Sequence, residues 1–420
     1  MGGELITGLA LALGFYMAFS IGANDVANAM GTSVGSGAMT VRQAILIAAV
    51  FEFLGAFLVG DHVTKTIRGG ILDPTIAAAA PDIVVYGMLA ALTAAATWLI
   101  IASRLGWPVS TTHSIVGAIA GFGAVALGLE AVEWAKLGRI AVSWGISPLL
   151  SGTLAFLIFK MIRRTILDHT NPVAQLKRWG PVYVFAVVAV IGLVTLFKGL
   201  KNLHLDYSFP EALGLTVLIG LGAAAIAAYF IRRVQVDPEA DAEFHFATVE
   251  RMFGVLQVLS ACAVAFAHGS NDVANAIGPL AAILSVSSAG VLEATAPVDP
   301  KLLLVGAVGI VLGLATLGYR VMATIGERIT QLTPTRGYTA QFAAAATIVL
   351  ASRLGIPVST THVLVGAVLG VGLARGIGAL DYRVVGTIVI SWIVTLPVGA
   401  GLAIFFFYFY KGLLTSLGGP

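Results

Sequence analysis

Charged residues are missing from long stretches of this chain, and that absence limits its fold more than any other feature. Windows of about twenty residues without Asp, Glu, Lys or Arg occupy 5–24, 83–103, 105–129, 140–159, 181–197, 212–231, 252–271, 273–292, 302–319, 354–374 and 384–410. The stretch 43–60 joins them with Glu52 as its one charge, and 337–352 is a shorter candidate. A helix needs about 20 mostly apolar residues to cross the hydrocarbon core, so the pattern predicts roughly a dozen membrane segments. The runs are continuously apolar rather than alternating, which selects helices over a β-barrel. Composition agrees: 58% of residues are apolar and only 11% charged, against about 25% charged in soluble proteins. The expected fold class is an all-α polytopic membrane protein embedded in the lipid bilayer.

The same inventory excludes several functions. A net charge of +3 argues against a nucleic-acid partner. The single cysteine, Cys262, rules out an intramolecular disulfide or a cysteine metal cluster, and its apolar surroundings suggest a buried, inert thiol. No Gly-x-x-x-x-Gly-Lys-Ser/Thr pattern occurs, so no nucleotide partner is expected to drive the protein. The N-terminus lacks the basic region of a cleaved signal peptide, and its first apolar stretch is expected to stay as a span. The longest polar connectors are 160–180 (Lys160, Arg163, Arg164, Lys177, Arg178) and 232–251 (Arg232, Arg233, Arg251, diluted by five acids); the one between them at 198–210 has only Lys198 and Lys201. Positive-inside bias places the first two in the cytoplasm of a multi-pass cell-membrane protein. Counting five crossings outward from each puts both termini outside.

The chain also repeats itself. Asn-Asp-Val-Ala-Asn-Ala occurs at 24–29 and again at 271–276. Ser-Arg-Leu-Gly-Trp-Pro-Val-Ser-Thr-Thr-His at 103–113 returns at 352–362 with ten of eleven residues unchanged. The offsets, 247 and 249, are nearly equal, and a third echo pairs Ser143-Trp144 and Pro148 with Ser391-Trp392 and Pro397. This predicts repeat 1 over 1–160, a central connector with two membrane helices over 161–250, and repeat 2 over 251–420. With an odd number of crossings each, the halves become inverted repeats with interrupted or re-entrant helices, and a site at their interface. The segment 5–41 is either one broken crossing or a hairpin.

Two constellations carry chemistry. Asn24, Asp25 and Asn28, with Asn271, Asp272 and Asn275 as their copies, set carboxylates and amides inside apolar stretches. A carboxylate costs about 2.5–3.5 kcal/mol at a helix centre and by default marks function. The reading is an interrupted helix whose oxygens surround a small hard cation; a helix cap at the membrane surface is the alternative. In the second constellation, Pro108 and Pro357 suit helix starts. Ser110, Thr111 and Thr112, and likewise Ser359, Thr360 and Thr361, then place three hydroxyls beside unpaired backbone N–H groups, a ready anion site. Capping would need one such residue, not three. His113 and His362 read as packed rather than ligating, Arg104 and Arg353 as helix-end residues, and Gln257 and Gln341 as helix bridges. Glu52 has no acidic counterpart, since Ile310 falls opposite it, and Ile21 stands where the second half has His268. Together the motifs describe a cation-coupled anion carrier. A channel and a membrane-embedded enzyme fit less well.

The pairs Gly-Ala-Asn24-Asp25-Val-Ala-Asn28-Ala and Gly-Ser-Asn271-Asp272-Val-Ala-Asn275-Ala, with Pro-Val-Ser-Thr-Thr-His at 108–113 and 357–362, resemble the repeated signatures of the inorganic phosphate transporter (PiT) family. The resemblance covers about 5–160 and 252–410, and it lacks the long hydrophilic central domain of animal members. It implies symport of inorganic phosphate, sodium-coupled in many members and proton-coupled or metal-phosphate in some. The implied partners are phosphate, sodium ions as coupling ions and no organic cofactor, with a homodimer a compatible assembly. Asn24, Asn271 and the hydroxyl triplets would hold phosphate. The six Asn and Asp residues of the first motifs would hold sodium.

Overall fold

The computed structural model describes residues 2–60, 71–194, 196, 208–233, 242–289, 298–353 and 358–416. Among them, twelve helices of sixteen or more residues form the protein: α1 Gly2–Gly35, α2 Val41–Val59, α3 Pro81–Leu105, α4 Thr111–Ala126, α5 Trp134–Ile162, α6 Pro172–Val194, α7 Phe209–Arg232, α8 Ala242–Ala289, α9 Pro300–Thr316, α10 Pro334–Arg353, α11 Thr360–Arg375 and α12 Tyr382–Ser416. Seven of them (α1, α2, α3, α5, α7, α8 and α12) are long and apolar enough to cross a membrane, and α9 with its continuation to Arg328, bent by 59°, makes an eighth. Large apolar side chains point outward, as at Leu149 (72% exposed) and Ile393 (68%), while many polar ones are buried. Exposed apolar patches on this scale suit lipid rather than water.

Three expectations are corrected. The first motif does not interrupt its helix: α1 runs unbroken through Asn24–Asn28, and α8 through Asn271–Asn275. Asn and Asp disrupt helices when their side chains bond to nearby backbone; here the described bonds of Asn24, Asp25 and Asn28 reach residues remote in sequence. The segment 5–35 is thus one unbroken helix, followed by a turn at 36–40, and holds neither a break nor a hairpin. The windows 252–271 and 273–292 likewise belong, as far as Ala289, to the 48 residues of α8. Of the connectors, 160–180 is described throughout, while 198–210 and 232–251 lie partly outside the described residues, which omit 197–207 and 234–241. Cys262 is half-buried rather than buried.

The interruption falls at the second motif instead. The helices α4 and α11 have 16 residues each, about 24 Å of rise against a core of about 30 Å. Each is the returning arm of a hairpin. α3 and α4 begin and end near Ile71–Asp73: Glu133 N–H donates to the Ile71 carbonyl, and Gly123 faces Leu72. α10 and α11 return to Thr330, which Arg375 bonds at 3.1 Å. Contacts at Tyr16–Thr97 and Asn24–Ser103 make α1 and α3 parallel; Glu250–Thr335 and Ser260–Gln341 do the same for α8 and α10. α1 and α8 are antiparallel, because Gly14 meets Leu280 and Ser36 meets Gln257. The two hairpins therefore enter from opposite faces, and the starts of α4 and α11 meet inside, where Thr361 donates to the Val109 carbonyl at 3.2 Å. This is the inverted repeat.

The halves interlock rather than sit side by side. α1 packs on α9 and α8 on α2; α4 packs on α12 and α11 on α5. Glycines permit the closest crossings. Gly22 lies against the Ile310 carbonyl and Gly313 against that of Phe19; in the symmetric crossing, Gly269 lies against Glu52 and Gly55 against Phe266. Small residues let membrane helices approach this closely, where packing rather than the hydrophobic effect supplies the attraction. Gly22→Val or Gly55→Val drives a side chain into a neighbouring backbone and should cost about 1–3 kcal/mol or more. Gly214→Val on α7, with nothing within 4 Å, should be nearly silent. Thermal unfolding in detergent compares them, and equal effects would contradict the crossing assignment.

Candidate functional site

The hairpin turns are built locally. α3 closes on Gly106 at φ 69°, a left-handed conformation that glycine adopts without strain. Trp107 N–H then donates to the Ala102 carbonyl at 2.8 Å and Gly106 N–H to Ser103 at 3.1 Å, the paired closure typical of glycine-ended helices. Ser110 starts α4: its Oγ accepts from His113 N–H at 3.3 Å, and Ser359 does the same for His362 N–H at 3.3 Å. One serine per triplet is thus the helix cap, which leaves the threonine hydroxyls for other work. Residues 354–357, with Pro357, lie outside the described residues.

The first motifs meet those turns. Asn24 Nδ2 donates to Ser103 Oγ at 3.1 Å and to the Trp107 carbonyl at 3.0 Å, while its Oδ1 accepts from Val109 N–H at 3.2 Å. Thr111 Oγ1 donates to Asp25 Oδ2 at 2.5 Å. Its repeat, Thr360, donates to Asp272 Oδ2 at 3.3 Å, and Asn271 Nδ2 to Asp272 Oδ1 at 2.8 Å. Asn28 crosses between the halves, with Nδ2 2.8 Å from Thr361 Oγ1 and 3.4 Å from Thr360 Oγ1. Asn275 is buried one turn beyond Asn271, and Thr112 is half-buried beside Thr111. Both carboxylates thus lie against a hydroxyl triplet. A cavity of about 10 Å³ remains between Asn28, His268 and Thr360, room for about one water, so this arrangement is closed around its own hydrogen bonds.

Two residues that the motifs leave out complete the cluster. His268 Nε2 lies 2.7 Å from Asp272 Oδ2 and 3.8 Å from Asp25 Oδ2; its Nδ1 lies 3.4 Å from Glu52 Oε1. All four side chains are buried. Oxygens of Asp25 and Asp272 and a nitrogen of His268 fall within 4.8 Å of one another, close enough to share a cation. The signal in the sequence was the broken symmetry: Ile21 and Ile310 stand where the other half has His268 and Glu52. Gln341 bridges helices as expected, donating to the Ala29 carbonyl and Ser33 Oγ and accepting from Ser260. Gln257 accepts from Ser36 at 2.7 Å. Arg104 sits exposed in the last turn of α3; nothing is described of the Arg353 side chain.

A family model described as the phosphate transporter family matches residues 21–403. The chain belongs to that family. The chain is 46% identical over 439 residues to inorganic phosphate transporter 2-1, chloroplastic, of Arabidopsis thaliana, covering 98% of this chain and 73% of that one. It is 47% identical over 410 residues to a Haemophilus influenzae protein that carries a phosphate-permease name, with 97% of each covered. A solved structure described as the sodium-dependent phosphate transporter is similar with a TM-score of 0.87 and 42% identity, over 97% of this chain and 99% of that one. The family's activity is transport rather than catalysis.

Pairing within the buried cluster is open to test by stability alone. His268→Ile leaves Glu52 and Asp272 without their partner, and breaking a buried ion pair costs about 3–5 kcal/mol. His268→Ile combined with Glu52→Ile restores the residue type that the other half carries and should lose less than the single variant. Thermal unfolding in sodium- and phosphate-free detergent gives the comparison. A double variant less stable than the single one would show that Glu52 does not depend on His268.

Proposed function

We propose that this chain is a sodium-coupled symporter of inorganic phosphate working by alternating access, with one composite site formed by both repeats. Phosphate would rest on the N-termini of α4 and α11, held by Ser110, Thr111, Thr112, Ser359, Thr360 and Thr361 with Asn24 and Asn271. Backbone N–H groups and the positive end of the helix dipole favour an anion there. Sodium, a hard cation that prefers oxygen ligands, would take the side-chain oxygens of Asn24, Asp25, Asn28, Asn271, Asp272 and Asn275. The solved relative described as sodium-dependent supports the choice of ion.

One observation carries the proposal: Thr111 and Thr360 each donate to a carboxylate, at 2.5 and 3.3 Å. A hydroxyl has a single proton to donate. While that proton serves Asp25 or Asp272, the threonine cannot donate it to phosphate. A sodium ion on the carboxylate would replace the hydroxyl and free it for the anion. Each ion would thus prepare the site for the other, and the cation would offset phosphate charge in a low-dielectric interior. Transport then requires the closed hairpin turns to part toward each face in turn, which the opposed directions of the two hairpins suit. In this reading 1–160 and 251–420 are the moving repeats, 161–250 joins them through two membrane helices with the polar connectors 160–180 and 232–251 in the cytoplasm, and both termini lie outside. The His268–Glu52 pair beside Asp272 favours one second reading, proton coupling.

Uptake into liposomes with sodium and proton gradients imposed separately decides between these readings. An inward sodium gradient should drive phosphate accumulation, with arsenate competing and sulfate competing poorly. Equal uptake on a proton gradient without sodium would overturn the sodium assignment. Thr111→Val with Thr112→Val, or Thr360→Val with Thr361→Val, removes hydroxyls at nearly constant volume. A lost bond to a charged group costs about 1.5–3 kcal/mol, so phosphate affinity should fall roughly 10- to 150-fold in each double variant. Unchanged affinity in well-folded protein would leave the threonines as packing residues.

A further inference from the structure

The composite site does not account for the histidines that close the second motifs. His113 and His362 lie in the first turns of α4 and α11, and both are buried. The His113 ring packs on Trp144 of α5 with centroids 3.6 Å apart. His362 stacks on Trp392 of α12 at 3.7 Å, with 24° between the planes. The two imidazoles meet edge to face at 4.5 Å and 79°. Trp144, His113, His362 and Trp392 therefore form one continuous row of rings that follows the internal repeat and ties the start of α4 to the start of α11.

Two members of the row, Trp392 at its end and His362 at its centre, are bonded to backbone of the opposite half. The Trp392 indole N–H donates to the Pro108 carbonyl at 3.0 Å, two residues before Ser110. His362 Nδ1 lies 3.2 Å from the Trp144 carbonyl. Both ring nitrogens of His113, and Nε2 of His362, have no hydrogen-bond partner among the described residues. These imidazoles thus act mainly as flat plates, and ring geometry defines their contacts. The row joins the first turns of the two helices whose starts carry the hydroxyl triplets, and small displacements of such donors have large consequences.

We propose that the four-ring row is a positioning element that sets the spacing between the two hydroxyl triplets, so that both half-sites close on the same anion. The inference rests on the phosphate reading of the triplets. Removing either imidazole opens the row at its centre. His113→Ala and His362→Ala should each weaken phosphate binding about tenfold, and the double variant should be no weaker than the worse single one. His113→Phe and His362→Phe keep a flat ring and should stay within a few-fold of wild type. Sodium binding measured without phosphate should not move.

The test is equilibrium binding of inorganic phosphate to the purified full chain at saturating sodium, with monodispersity and thermal unfolding checked for every variant. His113→Leu and His362→Leu, which keep bulk without a ring, replace any alanine variant that fails to fold. Phenylalanine variants as weak as the alanine ones would overturn the proposal, since the imidazole nitrogens would then bind the anion themselves. Wild-type affinity in the alanine or leucine variants, or losses that add in the double variant, would also overturn it. The Thr111→Val, Thr112→Val double variant is measured alongside. If it keeps wild-type affinity, the phosphate reading itself fails; if it loses affinity while the histidine variants do not, only the role of the row fails.

Discussion

Three carboxylates, those of Asp25, Glu52 and Asp272, are buried inside a helix bundle whose outer surface is apolar. Burying such groups unpaired is prohibitive, so the surrounding structure is organised to supply partners. Thr111 and Thr360 reach them from the two hairpin turns, and His268 stands between them. The inward-facing hairpins thus bring threonine hydroxyls to Asp25 and Asp272 from both halves.

Interlocking makes that geometry possible. The crossings of α1 on α9 and of α2 on α8 repeat the same glycine contacts, so Asp25 and Asp272 approach from antiparallel helices. The resulting pseudo-twofold arrangement is broken at two positions. His268 and Glu52 face Ile21 and Ile310 across it, and they place an imidazole closer to Asp272 than to Asp25. The two carboxylates are consequently unequal, although their motifs are identical in sequence.

Much of this was legible beforehand, for physical reasons. Apolar length revealed the helices, and the duplicated motifs revealed both halves and nearly every polar residue of the cluster. The continuity of α1 and α8 was hidden because it depends on partners far along the chain: Asn28 is satisfied by Thr361, 333 residues away. Local reasoning saw only a helix-disrupting Asn-Asp pair. The windows 252–271 and 273–292 gave no sign of fusing, since apolar length alone does not say whether one helix or two carries it. His268 stood out only as a break in the repeat, opposite Ile21; α2 supplies its meaning by bringing Glu52 against it. The ring row was equally concealed, because Trp144 and Trp392 meet the histidines only through the interlocked packing.

The central claim is that carboxylates and hydroxyls form one site in which cation and anion each prepare the place of the other. Its most direct test is the phosphate affinity of the purified protein as sodium replaces choline at constant ionic strength, together with sodium affinity with and without phosphate. The account predicts that phosphate binding tightens as sodium rises, that saturating phosphate tightens sodium by the same factor, and that Asp25→Asn and Asp272→Asn each shrink that factor, unequally. Phosphate affinity independent of sodium in the wild-type protein would contradict it.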